Sequence, residues 1–310
     1  MLRLAKFAVQ SLAALSLCLS GPIAAKPKTV ARSAPAATAA LPAGVARPAL
    51  WKLSDADTTI YLFGTIHALP KGIEWLTGPV DTALKGSQVL VTEIPETPPA
   101  TLQSIVMKTA LLPEGQNLRK LLGPVGGKKL ESALGDAGLP IEAFDQFEPW
   151  YAAVAMATLP LVKAGYSSED GVEMQLAKRS KALGHPQIGL ETAEYQLGLF
   201  DKLPQKTQLR YLREVMASMP TMTKELDELV KYWKLGNPTK LAALMNADED
   251  DPQLITVLLT NRNRNWANWI KARMAKPGTV FIAVGAGHLA GANSVQTMLV
   301  KRGFKVVRVQ

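Results

Sequence analysis

The chain has 310 residues, 47% hydrophobic and 20% charged, which is an ordinary globular balance with ample material for a core. Its formal charge of +9 invites a nucleic-acid reading, but six of the basic residues, Arg3, Lys6, Lys26, Lys28, Arg32 and Arg47, lie in residues 1–50 with no acid among them. The rest is nearly balanced, so no nucleic-acid partner is expected. The single cysteine, Cys18, excludes a disulfide and a cysteine nucleophile once the leader is removed.

That leader reads clearly. Arg3 and Lys6 form a basic start, Phe7 to Leu19 an apolar run, and Ile23-Ala24-Ala25 a small-residue cleavage site, so residues 1–25 are expected to be a secretory signal peptide. Leu17 stands where a lipoprotein would need a small residue before the modified cysteine, which argues against a lipid anchor. Residues 26–48 are rich in Ala, Pro and Lys without a hydrophobic period and read as a disordered linker. The expected protein is exported, periplasmic or secreted, with no transmembrane segment in the mature chain.

From Trp51 the elements follow in order. "WKLSD" and "TTIYLFGT" read as a strand pair ending on His67, and "SQVLVTE" as a buried strand ending on Glu93. A long helical region is expected from about Thr101 to Lys181, with Pro149 in a first turn and a kink at Pro160. A short strand, "PQIGLE", ends on Glu191. A second helical block runs from about Thr192 to Ala275, with breaks near Pro204, Pro220, Pro238 and Pro252. A strand at Val280–Val284, a Gly-rich turn, a helix from about Asn293 to Arg302 and a last strand, "FKVVRV", close the chain. This order implies a single α+β (α/β-like) domain over 49–310, with a central mixed sheet and large helical insertions.

Four strands thus end on polar groups: His67, Glu93, Glu191 and His288. Sites in open α/β sheets form beyond the carboxyl ends of strands, so two imidazoles and two carboxylates can converge on one edge. Two of these endings share a Gly-x-x-His pattern, Gly64 to His67 and Gly285 to His288, in a chain of only three histidines. The third, His185, stands just before its strand, so the run to Glu191 at ~3.3 Å per residue carries it about 20 Å from that edge, and it reads as a turn residue. Any metal must therefore use His67, His288, carboxylates and water, a mixed set that suits zinc, manganese, cobalt or iron.

"GAGHLAG" resembles a dinucleotide loop, but the following strand lacks the acidic residue that such a site needs. In "NRNRNWANWIKAR", helical spacing puts Arg262 on the face of Trp266 and Trp269; if that face is buried, Arg262 needs an anion such as Glu93, Glu191 or a substrate carboxylate, with Asn263 or Asn265 as further donors, and otherwise it reaches solvent. In "SSEDGVEMQL", Ser167 and Asp170 read as capping groups and Glu173 as a first-turn acid.

These motifs together resemble the TraB/GumN family, which also includes the Tiki proteases. The marks are "YLFGTIHALP", "VTE", "GVEMQLAKRSKALGHPQIGLETAEYQL", "NRNRNWANWI" and "FIAVGAGHLAGANSVQTMLVKRGFKVVRV". The resemblance implies an α+β fold related to erythromycin esterase-like and ChaN-like proteins. It also implies metal-dependent peptide cleavage, with manganese or cobalt held by His67, Glu93 and His288. Glu191 and Arg262 match further positions, assigned here as base and as the group that orients it or binds substrate. The expected function is a divalent-metal-dependent hydrolase acting on a peptide or small ester. The alternatives are a metal-independent esterase and a non-enzymatic haem-, metal- or peptide-binding protein.

Overall fold

A computed structural model describes residues 45–246 and 252–310. The expected signal peptide and most of the expected linker lie outside the described residues. At the linker's end, Ala46 and Pro48 are buried, the Ala46 N–H donates to the Glu74 carbonyl (2.7 Å) and the Arg47 N–H to that of Lys234 (2.8 Å). Packed chain therefore begins by Ala46.

Two strands open the fold, β1 (Leu50–Ser54) and β2 (Thr58–Thr65), joined by a turn in which Asp55 accepts from the Asp57 and Thr58 N–H groups. A two-residue strand, β3 (Leu69–Pro70), is followed by α1 (Gly78–Lys85), β4 (Val89–Thr92), α2 (Pro99–Thr109), α3 (Leu118–Ala137) and α4 (Pro149–Lys163). Next come β5 (Tyr166–Ser167), α5 (Val172–Ala182), β6 (Gln187–Gly189), α6 (Ala193–Asp201), α7 (Gln205–Lys234) and α8 (Pro238–Asn246). The last part contains α9 (Pro252–Ile255), a π-helical turn at Thr256–Thr260, α10 (Asn261–Arg273), β7 (Gly278–Gly285), a 3₁₀ turn at Ala286–Leu289, α11 (Val295–Val300) and β8 (Val306–Arg308).

Six strands form a mixed sheet in the order β6-β4-β7-β2-β1-β8, an α+β architecture with the helices inserted between strands. The four strands from β6 to β2 are parallel, so their carboxyl ends share one edge, while β1 pairs antiparallel with both β2 and β8. Strand alternation divides the core into two layers. Leu62 of β2 and Ile282 of β7 face α10 and α11, whereas Phe63 and Phe281 face the larger helical layer. Burial on both faces explains why these strands read as continuous apolar runs. No described helix is long and apolar enough to cross a membrane.

The helical stretch expected over Thr101–Lys181 is interrupted by β5, which pairs with β3 after a reversal at Gly165 (φ 86°). Pro220 does not break its helix as expected, and Pro160, where a kink was expected, leaves its helix continuous. Pro160 lies inside α4 and Pro220 inside α7, and these two helices pack extensively on each other, holding the backbone despite the lost N–H. Pro204, Pro238 and Pro252 stand at helix starts instead.

Candidate functional site

The β2–β7 register pairs Thr65 with Gly285, so the two Gly-x-x-His segments leave the sheet side by side. Gly64 allows this close approach, since a Cβ would come within 3.1 Å of the Ala286 Cα, and the Trp233 indole N–H donates to the Gly64 carbonyl at 2.7 Å. Beyond β4 and β6 the parallel pairing continues, with the Glu191 N–H donating to the Glu93 carbonyl (2.8 Å), which sets the two glutamates next to each other. His67, Glu93 and His288 are all buried.

Arg262 joins them. Its Nη2 donates to Glu93 Oε2 (2.6 Å) and Glu191 Oε2 (2.8 Å), and its Nε lies 3.1 Å from both Glu191 oxygens. Its Nη1 donates to the Leu258 carbonyl (3.1 Å) and lies 3.2 Å from His288 Nε2. The guanidinium, 3% exposed, sits 4.8 Å from the Trp266 ring centroid. The anion required by a buried Arg262 is thus a pair of carboxylates, and the solvent-reaching alternative does not occur. The π-helical turn before α10, a feature often found at functional sites, carries the Leu258 carbonyl used here.

Gln196 completes this cluster by donating to Glu93 Oε2 and Glu191 Oε2 at 3.0 Å each, while the Trp266 indole donates to Glu191 Oε1 at 2.9 Å. Glu93 Oε1 accepts from the Gly285 N–H at 2.7 Å. Burial by itself pushes the Glu93 carboxyl up, but Arg262, the two histidines and this backbone donor outweigh it and hold the group at about 2.

Arg262 Nη1 can only donate, so His288 Nε2 accepts and the proton of a neutral His288 is on Nδ1. That nitrogen lies 2.5 Å from Asn263 Oδ1, and the Asn263 amide donates to the Asn293 carbonyl at 2.8 Å. Burial, then the Arg262 charge, bring the His288 pKa down to about 3 despite Glu93. His288 is therefore neutral at physiological pH.

His67 has a different partner. Its Nδ1 lies 2.5 Å from Glu173 Oε1 at the start of α5, an ion pair when the imidazole is protonated. Glu173 is thus more than the first-turn acid read from sequence. Nor do Ser167 and Asp170 cap α5: its N-cap is Gly171, with no side-chain cap, and the Val172 N–H donates to the Ile66 carbonyl at 3.0 Å. Gly171 packs so closely on the His67 carbonyl that a Cβ would overlap it. The arrangement locks the segment carrying His67 against the helix carrying Glu173.

Five sequence-derived candidates, His67, Glu93, Glu191, Arg262 and His288, meet at one sheet edge. Glu173 and Gln196 were missed as site residues, and Asn263 was named only as a donor. The helical signature around Glu173 conceals its second role, and Gln196 has only its position in the first turn of the helix that follows Glu191 as a clue. His185 stands in the turn between α5 and β6, as expected.

The family model described as "TraB/PrgY/gumN family" matches residues 49–308. The chain belongs to that family. Family relatives include the "Uncharacterized protein YbaP" of Escherichia coli (strain K12) and of Shigella flexneri, each 26% identical over 239 residues, covering 77% of this chain and 87% of the relative. An "Uncharacterized protein" of Treponema pallidum (strain Nichols) is 22% identical over 268 residues, covering 81% of this chain and 80% of the relative. No solved structure matches significantly.

A divalent ion fits this family member's donor set poorly as arranged. Both Glu93 oxygens already accept hydrogen bonds, His288 Nε2 faces Arg262, and a fixed positive charge stands among the would-be ligands. Among the described residues, no group of three His, Cys, Asp or Glu side chains is placed to hold an ion.

Proposed function

We propose that the protein hydrolyses acyl bonds of a peptide or small ester without a metal, using His67 as general base. The observation that carries this reading is the His67–Glu173 contact at 2.5 Å. A carboxylate on Nδ1 favours the tautomer whose Nε2 lone pair is available for a proton, and it stabilises the imidazolium once formed. His67 Nε2 takes a proton from water as the water oxygen attacks the carbonyl carbon, then returns it to the departing nitrogen or oxygen. Arg262, its donors committed to Glu93, Glu191 and the Leu258 carbonyl, supplies the buried positive charge around which the site is built. Glu93 and Glu191 hold that charge in place, with Gln196 and Trp266 fixing the glutamates.

The base role passes to His67 from Glu191 because both Glu191 oxygens are occupied by Arg262, with Gln196 and Trp266 adding further bonds. A second reading, a divalent ion held by His67, Glu93 and His288, is favoured by the 3.8 Å separation of His288 Nε2 from Glu93 Oε1. Such an ion would supply Lewis-acid activation of water. This reading requires Arg262 to withdraw from Glu93. Export through residues 1–25 would place the reaction in the periplasm or outside the cell, which fractionation with leader cleavage would test.

The deciding experiment combines metal analysis with a panel of peptides and esters, measured with and without chelator. Chelator-resistant turnover should fall by roughly 10²–10⁴ in His67→Ala, and substantially in Glu173→Gln, with both variants folded. A stoichiometric ion whose removal abolishes turnover would replace this mechanism by the second reading. Stoichiometric peptide or haem uptake without turnover would make the protein a binding protein.

A further inference from the structure

The six-stranded sheet has two edges, and they are built differently. At one, β8 carries Arg308 and is preceded by Lys305, charged side chains of the kind that keep an edge strand from pairing with another chain. At the other lies β6, Gln187–Gly189, which has no charged residue, and Ile188 at its centre is 43% exposed. Among the described residues no strand lies beyond β6. The bonds to β4 fix which way its backbone points: the Leu90 N–H donates to the Pro186 carbonyl (3.0 Å) and the Leu190 N–H to the Thr92 carbonyl (2.9 Å), so residues 186 and 190 face β4. Because the direction alternates along a strand, the N–H and C=O groups of Gln187 and Gly189 point away from the sheet. The Gln187 side chain turns inward instead, donating to Thr92 Oγ1 at 3.0 Å.

We infer that the open edge of β6 docks an extended peptide as an added strand, so that the substrate of the candidate site is a polypeptide segment and not a small ester. The inference rests on the hydrolase reading for the word substrate, but the docking can be tested without turnover. A row of outward N–H and C=O groups is complementary to another extended backbone. The exposed Ile188 offers that chain an apolar neighbour on one face. β6 also leads directly into Glu191, whose oxygens hold Arg262, so a docked chain lies alongside the candidate site. Strand spacing then sets a minimum length. In the order β6-β4-β7-β2, an added strand lies four spacings from the strand that leads to His67, about 19 Å at ~4.8 Å each. About six extended residues at ~3.3 Å each span that distance. With the three residues of β6 to pair as well, a productive chain has about nine residues or more.

The test is ¹H–¹⁵N NMR with amide hydrogen exchange on the protein, using acetyl-Lys-Thr-Val-Thr-Val-Thr-Lys-amide as the probe and the same peptide N-methylated at each Thr and Val as its control. At saturation the probe should shift the Gln187 and Gly189 amides and slow their exchange by about tenfold or more, and the control, which has lost its backbone donors, should leave both unchanged. Gln187→Pro removes one outward donor at an edge position where proline is tolerated, and should weaken the probe about three- to tenfold. Gln187→Val loses the side-chain bond to Thr92 but keeps the N–H, and should bind as the wild type does. The methylated control keeps the test alive if the proline variant fails to fold. Equal binding of probe and control, binding of neither, or unchanged exchange at both amides overturns the inference whatever the turnover. Protection of these amides without probe, in a dimer seen by sedimentation, overturns it in favour of a second copy. Peptides shorter than about six residues should be hydrolysed at least about tenfold less efficiently, in kcat/KM, than long ones containing the same cleaved bond; equal efficiency overturns the link from edge to site. Docking of the probe with no hydrolysis of any long peptide keeps the edge as a peptide site and refutes the hydrolase reading alone.

Discussion

Replacing Arg262 by methionine tests whether the guanidinium is the buried counterion on which the site is built. The substitution keeps much of the apolar stem over Trp266 but removes the donors to Glu93, Glu191, Leu258 and His288. Glu93 and Glu191, each 5% exposed in its side chain, would face one another with Gln196 and Trp266 as partners but no positive group between them. Removing one member of a buried ion pair costs about 3–5 kcal/mol because the remaining charge stays buried. For a domain of this size that corresponds to a fall in Tm of about 6–20 °C. The dependence on pH is the sharper readout. With Arg262 gone, burial is no longer outweighed and the Glu93 pKa should rise above its unfolded value. A raised folded pKa means that the destabilisation is full at high pH and shrinks as the pH falls through it. Urea unfolding followed by tryptophan fluorescence at pH 8 and pH 5 should therefore show a larger deficit at pH 8. Arg262→Lys should fall between the two, since a single ammonium cannot span both carboxylates as the fork does. A deficit below about 1 kcal/mol at pH 8, the ordinary value of an exposed pair, or one of equal size at both pH values, would refute this reasoning.

Acid should unfold the native chain through the same cluster. Glu93 is held at about 2 against an ordinary 4.5, so it contributes stability present above pH 4.5 and lost as pH falls toward 2, on the order of 3 kcal/mol at 1.36 kcal/mol per unit. His288, neutral in the fold with its pKa at about 3 rather than 6.5, takes up a proton on unfolding and begins the loss below pH 6.5. Urea midpoints should therefore fall from about pH 6 and more steeply below pH 4.5; constant midpoints down to pH 4 would contradict the His288 assignment, and no steepening between pH 4 and pH 3 the Glu93 one. Gly171→Ala should destabilise by about 1–3 kcal/mol and displace His67, read as a lower midpoint together with a larger proportional loss of turnover than of folded protein; unchanged turnover would separate Gly171 from the site. Asn263→Leu should leave His288 Nδ1–H buried without an acceptor, costing about 1–3 kcal/mol, and should alter the His288 ring ¹⁵N shifts; unaltered shifts would mean that another group sets the tautomer.

Much of the site was legible before folding was considered. The strands β2, β4 and β7 announce themselves by apolar runs and β6 only as a short stretch before Glu191, and the polar endings at His67, Glu93, Glu191 and His288 mark an edge because parallel strands place their carboxyl ends together. The helical spacing of Arg262 and Trp266 is equally local, since a period of 3.6 puts residues four apart on one face. Local rules could not decide whether that face meets anions or water. Prolines show the same boundary: Pro204 and Pro238 begin helices as their fixed φ favours, whereas Pro160 and Pro220 stay inside helices that only the packing of α4 on α7 can hold.

Which residues stand at the end of each strand follows from local sequence, because strand periodicity, turn chemistry and the Gly-x-x-His spacing are properties of neighbouring residues. The tertiary structure decided their pairings. Arg262 reaches Glu93 across 169 positions of chain and His288 meets Asn263 across 25, while His67 finds Glu173 in a helix whose start looked sufficient to explain that acid. Each of these contacts depends on how α5 and α10 seat against the sheet, and hence on the burial of two apolar layers summed over the whole domain. The same burial fixes the charges, since solvent removed from Glu93, Arg262 and His288 leaves each dependent on the partners that packing supplies.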